Sequence, residues 1–193
     1  NHIRELPSES ATQKWTAWDL GVSDSTSIWV CETLGGEVRL MDYYENHGQP
    51  LDHYIGWLDE KGYRDYTHIL PHDVNVRELQ TGKSRYEFLT EAGLNIDVAA
   101  KLSVEDGIMA VRKMLPNAWF NKETTKFGLE CLRNYRRVFN EKLNVYQEKP
   151  LHDWSSHCSD AFRYLAVGID TQGTSTRSNW NKPFESTYDG ESY

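Results

Sequence analysis

The feature that most constrains the fold is a change in the period of the apolar residues along the chain. The first third carries three segments with the alternation of half-buried strands, and a Leu-Gly-Gly-Glu turn joins the last two. These segments are KWTAWDL at 14–20, TSIWVCET at 26–33 and VRLMDYY at 38–44. Loops this short join antiparallel neighbours, so the pattern predicts a three-stranded antiparallel meander.

Beyond residue 50 the apolar period becomes helical, and helices alternate with short strands. The pattern predicts strands at 67–70 and 94–98, an irregular or hairpin segment at 145–151, and helices at 51–61, 84–92, 103–115, 122–140 and 157–170. A meander followed by this alternation predicts an α/β domain with a mixed sheet and flanking helices.

The length of 193 residues fits one domain. We expect it to span residues 13–170, between a linker or lead-in at 1–12 and a mobile, aperiodic tail at 171–193.

Composition excludes several classes of protein. A net charge of −8 does not suggest a basic nucleic-acid-binding tail, and no apolar run approaches the roughly 18 residues of a membrane span. We therefore expect a soluble, intracellular domain. Three cysteines without a C-x-x-C pair argue against a disulfide framework, and no G-x-x-x-x-G-K-[ST] loop is present for an ATPase.

Three aspartates stand where a sheet and its last helix could bring them together. Asp19 continues the strand face of Trp15 and Ala17, Asp73 follows a predicted strand, and Asp160 lies beside the apolar stripe of the last helix. Each has a structural alternative as a turn or capping residue. Clustered carboxylates need a cation, and oxygen ligands favour Mg²⁺ or Mn²⁺. The trio therefore suggests a two-metal phosphodiester site, in which one ion activates water and the other stabilises the leaving 3′ oxygen.

A competing metal hypothesis uses His152, Asp153, His157 and Cys158. Their spacing matches none of the usual structural zinc patterns. His157 shares the stripe of Asp160 and is an auxiliary candidate for contacting a phosphate or a metal-bound water; a core histidine is the alternative.

Basic residues near the predicted long helix are candidates for DNA contact. Arg133, Arg136 and Arg137 would share one face of a helix over 122–140, and Lys122 and Lys126 precede them. A solvated helix face is the alternative interpretation.

Between about residues 12 and 168 the chain resembles the C-terminal nuclease domain of the large terminase subunit of tailed bacteriophages. The resemblance is carried by two helical segments, SVEDGIMAVRKML and GLECLRNYRRVFNEK, and by the three that hold the acids: AWDLGVSDST, ILPHDVN and PLHDWSSHCSDAFRYLA. The last of these is the most specific.

That resemblance implies an RNase H-like fold and an endonuclease that cuts double-stranded concatemeric viral DNA during genome packaging. It maps the catalytic metal ligands onto Asp19, Asp73 and Asp160, with Asp24 as an auxiliary acid and two Mg²⁺ or Mn²⁺ ions as cofactors. It also implies, as partners, a terminase ATPase domain absent from this chain, a small terminase subunit and a portal protein. The expected location is the host cytoplasm, at the procapsid portal.

Two other classes of protein stay open on the sequence. An RNase H-like resolvase or transposase core would share the acids but act on branched or end-specific DNA. A non-catalytic module that docks on DNA or on the portal would leave the acids unused. Metal-dependent nicking of plasmid DNA separates the module from both enzymes.

Overall fold

The computed structural model describes residues 2–7, 11, 13–21, 24–77 and 82–173. Its regular elements are, in chain order, β1 (Ile3–Arg4), β2 (Gln13–Asp19), β3 (Ser25–Leu34), β4 (Glu37–His47), α1 (Leu51–Lys61), β5 (Thr67–Leu70), α2 (Arg85–Glu91), β6 (Asn95–Val98), α3 (Val104–Met114), β7 (Ala118–Asn121), α4 (Lys126–Asn134), β8 (Arg137–Asn140), β9 (Val145–Pro150) and α5 (Ser156–Gly173). Short 3₁₀ turns occupy His72–Asn75 and Leu115–Asn117. The predicted α/β class is confirmed.

Seven strands form one mixed sheet in the order β1-β7-β4-β3-β2-β5-β6. β2, β3 and β4 pair antiparallel, which confirms the predicted meander. β5 and β7 pair parallel with β2 and β4, and β6 and β1 extend the sheet at its two edges, again in parallel. β8 and β9 form a separate antiparallel hairpin.

Helices cover both faces of the sheet because β2 alternates between two apolar cores. Trp15 and Ala17 belong to a core beneath α5, together with residues of α3 and α4. Trp18 points the other way, into a second core that α1 and α2 close. Asp19 follows Ala17 by two residues, so the strand period directs its carboxylate to the α5 side.

Two glycines let helices approach the sheet closely. A Cβ atom at Gly168 of α5 would lie 2.5 Å from Cδ1 of Ile69 on β5, and one at Gly128 of α4 would lie 2.8 Å from Cγ of Tyr43 on β4. Neither position has room for a side chain without a shift of its neighbours. At the other end of α5, the first turn lies next to the end of β2, where His157 contacts Asp19.

The predicted long helix over 122–140 is wrong. α4 spans only Lys126–Asn134, since Tyr135 adopts extended backbone angles, and the chain enters β8 at Arg137. The spacing of the arginines is compatible with a continuous helix, and this led to the wrong prediction. Val138 and Phe139, in contrast, favour a strand. The sequence analysis also missed β7, a four-residue strand directly after the Leu115–Asn117 turn.

The ends of the domain differ from expectation as well. Within the predicted lead-in, Ile3–Arg4 pairs with β7, and Leu6 is buried. α5 continues to Gly173, so the first residues of the predicted tail are helical, and residues 174–193 lie outside the described part of the chain. Of the helices described, none combines the length and apolar character needed to cross a membrane.

Candidate active site

Asp19 ends β2 and contacts the first turn of α5. Nδ1 of His157 lies 2.9 Å from its Oδ2, and the two side chains are only 16% and 19% exposed. Burial raises the pKa of Asp19, the hydrogen bond from His157 offsets part of that rise, and the negative charge of Asp160 adds to it. A role for Asp19 in the turn after β2 does not account for these contacts, because its carboxylate faces His157 on α5 and its pKa is raised by Asp160.

Asp160 lies one turn inside α5 and has a counter-charge of its own. Nη2 of Arg163 donates to its Oδ1 at 2.6 Å, and the arginine side chain is 11% exposed. Burial lowers the pKa of the Arg163 guanidinium, but the charge and hydrogen bond of Asp160, together with Tyr135 and Tyr164, raise it overall. α5 starts at Ser156, and Asp153 accepts a hydrogen bond from the Ser155 N–H, so Asp160 does not cap the helix.

Asp73 sits on the 3₁₀ turn that follows β5 and is exposed. No side-chain bond caps this turn at its start, where Pro71 stands. Burial raises the pKa of Tyr164 on α5 to about 12; the charges of Asp19, Asp160 and Asp73 add to that rise, and Arg163 opposes it.

The sequence analysis did not single out Arg163 and Tyr164. The i,i+3 spacing of Asp160 and Arg163 was the available signal for the ion pair, since residues three apart are neighbours on a helix. Helical spacing places Tyr164 on the stripe of Asp160, but no local pattern indicates that Asp19 and Asp73, from other elements, influence its pKa.

Of the four residues in the competing metal hypothesis, only the two histidines lie together. Cys158 follows His157 on α5 and therefore faces the core, where it is buried. Its Sγ lies 3.5 Å from the Gly128 carbonyl oxygen. Asp153 accepts hydrogen bonds from Ser155. His152 and His157 do meet, with ring centroids 5.5 Å apart, and their third neighbour is Asp24.

The predicted basic face is not one helix face. Arg133 is exposed near the end of α4, whereas Arg136 follows the helix and lies 3.9 Å from Asp153. Arg137 belongs to β8 and pairs with Glu105 of α3. Lys122 is exposed in the turn after β7, and Lys126 pairs with Glu123. Any contact of these residues with DNA stays a prediction.

The donor set of the three acids suits a hard divalent cation. All three offer carboxylate oxygens, and none is fully buried, so an ion can reach them from solvent. His157 contacts Asp19 and Arg163 contacts Asp160, so each of these two acids already has a partner within the protein.

Solved structures resemble this fold, although no family model and no curated protein matches the chain. The P22 large terminase nuclease domain superposes with a TM-score of 0.66 at 18% identity, over 87% of each chain. The SPP1 bacteriophage g2p nuclease domain with bound Mn gives 0.60 at 14% identity, over 87% of this chain and 95% of that one. The large terminase of a thermophilic bacteriophage gives 0.65 at 19% identity over 87% of this chain, which spans 42% of the length of that protein. The protein therefore has the RNase H-like α/β fold of large terminase nuclease domains.

Proposed function

We propose that the domain is a metal-dependent endonuclease that cuts double-stranded concatemeric viral DNA during genome packaging. The observation that carries the proposal is the hydrogen bond between Asp19, at the end of β2, and His157, in the first turn of α5, since Asp160 follows one turn later on that helix. Asp73 follows β5, the strand that pairs with β2. Carboxylates at the ends of neighbouring sheet strands are well placed to hold cations against a phosphodiester.

Asp19, Asp73 and Asp160 would hold two Mg²⁺ or Mn²⁺ ions, with Asp24 as an auxiliary acid. Nuclease domains of the same fold contain bound Mn in SPP1 and bound magnesium in phage G20c. When bound, such ions supply positive charge to the attacking and leaving oxygens of an in-line displacement.

The remaining side chains position these acids. His157 holds Asp19 through Oδ2 and fixes the direction of that carboxylate. Arg163 holds Asp160 through Oδ1 and compensates its charge. His157 is an auxiliary candidate for contacting a phosphate or a metal-bound water through Nε2, since its Nδ1 bonds Asp19.

DNA contact would be electrostatic and tolerant of sequence, because phosphate contacts carry no sequence information. Arg133, Arg136 and Lys122 are exposed and offer such contacts, and Arg137 and Lys126 would have to exchange their present ion pairs for phosphates. On a chain of net charge −8, we expect a terminase ATPase domain, a small subunit and a portal protein to hold most of the DNA, at the procapsid portal in the host cytoplasm.

The test is plasmid cleavage with Mg²⁺, Mn²⁺ or chelator. We expect nicking with either ion and its loss in Asp19→Asn, Asp73→Asn and Asp160→Asn. Asp65→Asn is the matched control, since Asp65 is an exposed acid in the turn before β5.

Full activity in all three variants would refute the assignment. Absence of cleavage under every condition would favour the docking module. A strong preference for branched over plasmid DNA would favour the resolvase class.

A further inference from the structure

We propose that Asp24, His152 and His157 form a second cation site, which takes a transition ion of the Zn²⁺ or Co²⁺ class. One ligand atom from each residue lies within 4.8 Å of the other two. Asp24 precedes β3, His152 precedes α5, and His157 is in the first turn of α5, so three separate chain positions converge. The site shares Asp24 and His157 with the proposed nuclease centre, but ion binding there can be measured without DNA cleavage.

In both histidines Nδ1 makes a hydrogen bond, so the same nitrogen, Nε2, is left to bind an ion. The Ser156 hydroxyl donates its one hydrogen to the Asp153 carbonyl at 2.6 Å, so at the 3.0 Å contact with His152 the Nδ1–H must be the donor. In His157 the Nδ1–H donates to the Asp19 carboxylate. In their neutral forms both rings therefore keep the Nε2 lone pair for an ion.

The His157–Asp19 bond has the form of a carboxylate that supports a metal-binding histidine. Such a partner fixes the tautomer and the ring orientation and raises the basicity of the ligating nitrogen. Asp24 and His152 are exposed, so an ion can enter from solvent and these side chains can turn toward it. Bonds of about 2.1 Å place ligand atoms at most about 4 Å apart, so only a small contraction of the trio is needed.

Two imidazole ligands distinguish this site from the acid trio, which offers only carboxylate oxygens. Imidazole nitrogen suits Zn²⁺ and Co²⁺, whereas Mg²⁺ prefers oxygen. Three protein ligands leave a further position for water or for an oxygen of another molecule. A bound ion would lie next to the Asp19–His157 hydrogen bond, so occupancy would influence the proposed nuclease centre; this consequence rests on the proposed function.

The test titrates the full chain with Co²⁺ and with Zn²⁺ in excess Mg²⁺, which competes for the carboxylate sites, since a nuclease domain of this fold is also solved with bound cobalt. We expect one ion per chain, with a visible Co²⁺ absorption band that Zn²⁺ abolishes. His152→Gln and Asp24→Asn should each weaken binding by at least about 10–100-fold, the range seen even for supporting groups of metal sites. His2→Gln, at the far edge of the sheet, should bind as wild type does.

Two results would overturn the proposal: no Co²⁺ band in wild type, or the same affinity in Asp24→Asn, His152→Gln and wild type. Thermal melting without metal confirms that the variants are folded. Asp160→Asn separates the two sites, since it should keep the Co²⁺ band while losing plasmid cleavage. If no variant cleaves DNA, the band still decides this proposal by itself.

Discussion

Replacing Gly168 with alanine tests how tightly α5 is seated on β5. The new Cβ would lie 2.5 Å from Cδ1 of Ile69, 3.2 Å from Cγ1 and 3.4 Å from Cγ2. Overpacking of this kind costs about 1–3 kcal/mol, and the better helix propensity of alanine returns roughly 1 kcal/mol. We expect a net loss of about 1 kcal/mol in the free energy of unfolding, or about 2–4 °C in melting temperature for a chain of this size.

Ile69→Val completes the test because it removes the atom that lies closest to the new methyl group. Alone, it should cost about 0.5–1.5 kcal/mol. In Gly168→Ala/Ile69→Val the added methyl fills the space that Cδ1 vacates. The double variant should therefore be at least about 1 kcal/mol more stable than the sum of the two single losses, within the range of coupling for residues in contact.

The measurement is urea unfolding, monitored through the fluorescence of the seven tryptophans. The wild type, both single variants and the double variant must show equal m-values. Gly56→Ala is a matched control, since no atom lies within 4 Å of a Cβ placed there on α1. Additive losses, within about 0.3–0.5 kcal/mol, would show that α5 does not approach Ile69 closely. The close packing of α5 against β5 at Gly168 would then lose its basis.

Three further outcomes follow from buried groups. Tyr66→Phe removes a donor to the buried carboxylate of Glu32 and should cost about 1–3 kcal/mol in urea unfolding; a change below about 0.5 kcal/mol would contradict that bond. The hydrogen bond to Asp19 raises the pKa of His157 above its ordinary 6.5, so the ring stabilises the fold below that pH and loses this contribution as pH rises through the raised value. Its NMR titration midpoint should fall in Asp19→Asn, and an unchanged midpoint would refute the pairing. The three cysteines are buried, and burial raises the pKa of Cys31 and Cys158, so a thiol reagent should label none in the native protein and all in urea; rapid native labelling would contradict this burial.

The elements that the sequence predicts well are those in which one period dominates. The strands of the meander and α5 each bury one regular face, so alternation or helical spacing identifies them, and the same spacing directs Asp19 and Asp160 toward each other. Residues 135–140 show no dominant period. Their arginines are compatible with a helix or a strand, and their apolar residues are too few to distinguish the two.

Contacts between distant parts of the chain are not encoded in any local period. His157 and Asp19 are 138 residues apart, and Asp24 reaches His152 only because β3 starts beside the entry to α5. From the sequence, the acids would be expected to repel one another strongly without a cation. The structure instead gives Asp160 a counter-charge from Arg163 and Asp19 a hydrogen bond from His157, and both contacts oppose that repulsion.

The two-residue strand β1 has a consequence for self-association. It occupies the hydrogen-bonding edge of β7, and Arg4 secures it through Glu37 and the ring of Trp119. An uncovered edge strand is a template on which another chain can add a strand. A protein shortened to begin at residue 8 would present β7 as such a template, and would form soluble oligomers or aggregates under conditions in which the longer chain stays dispersed.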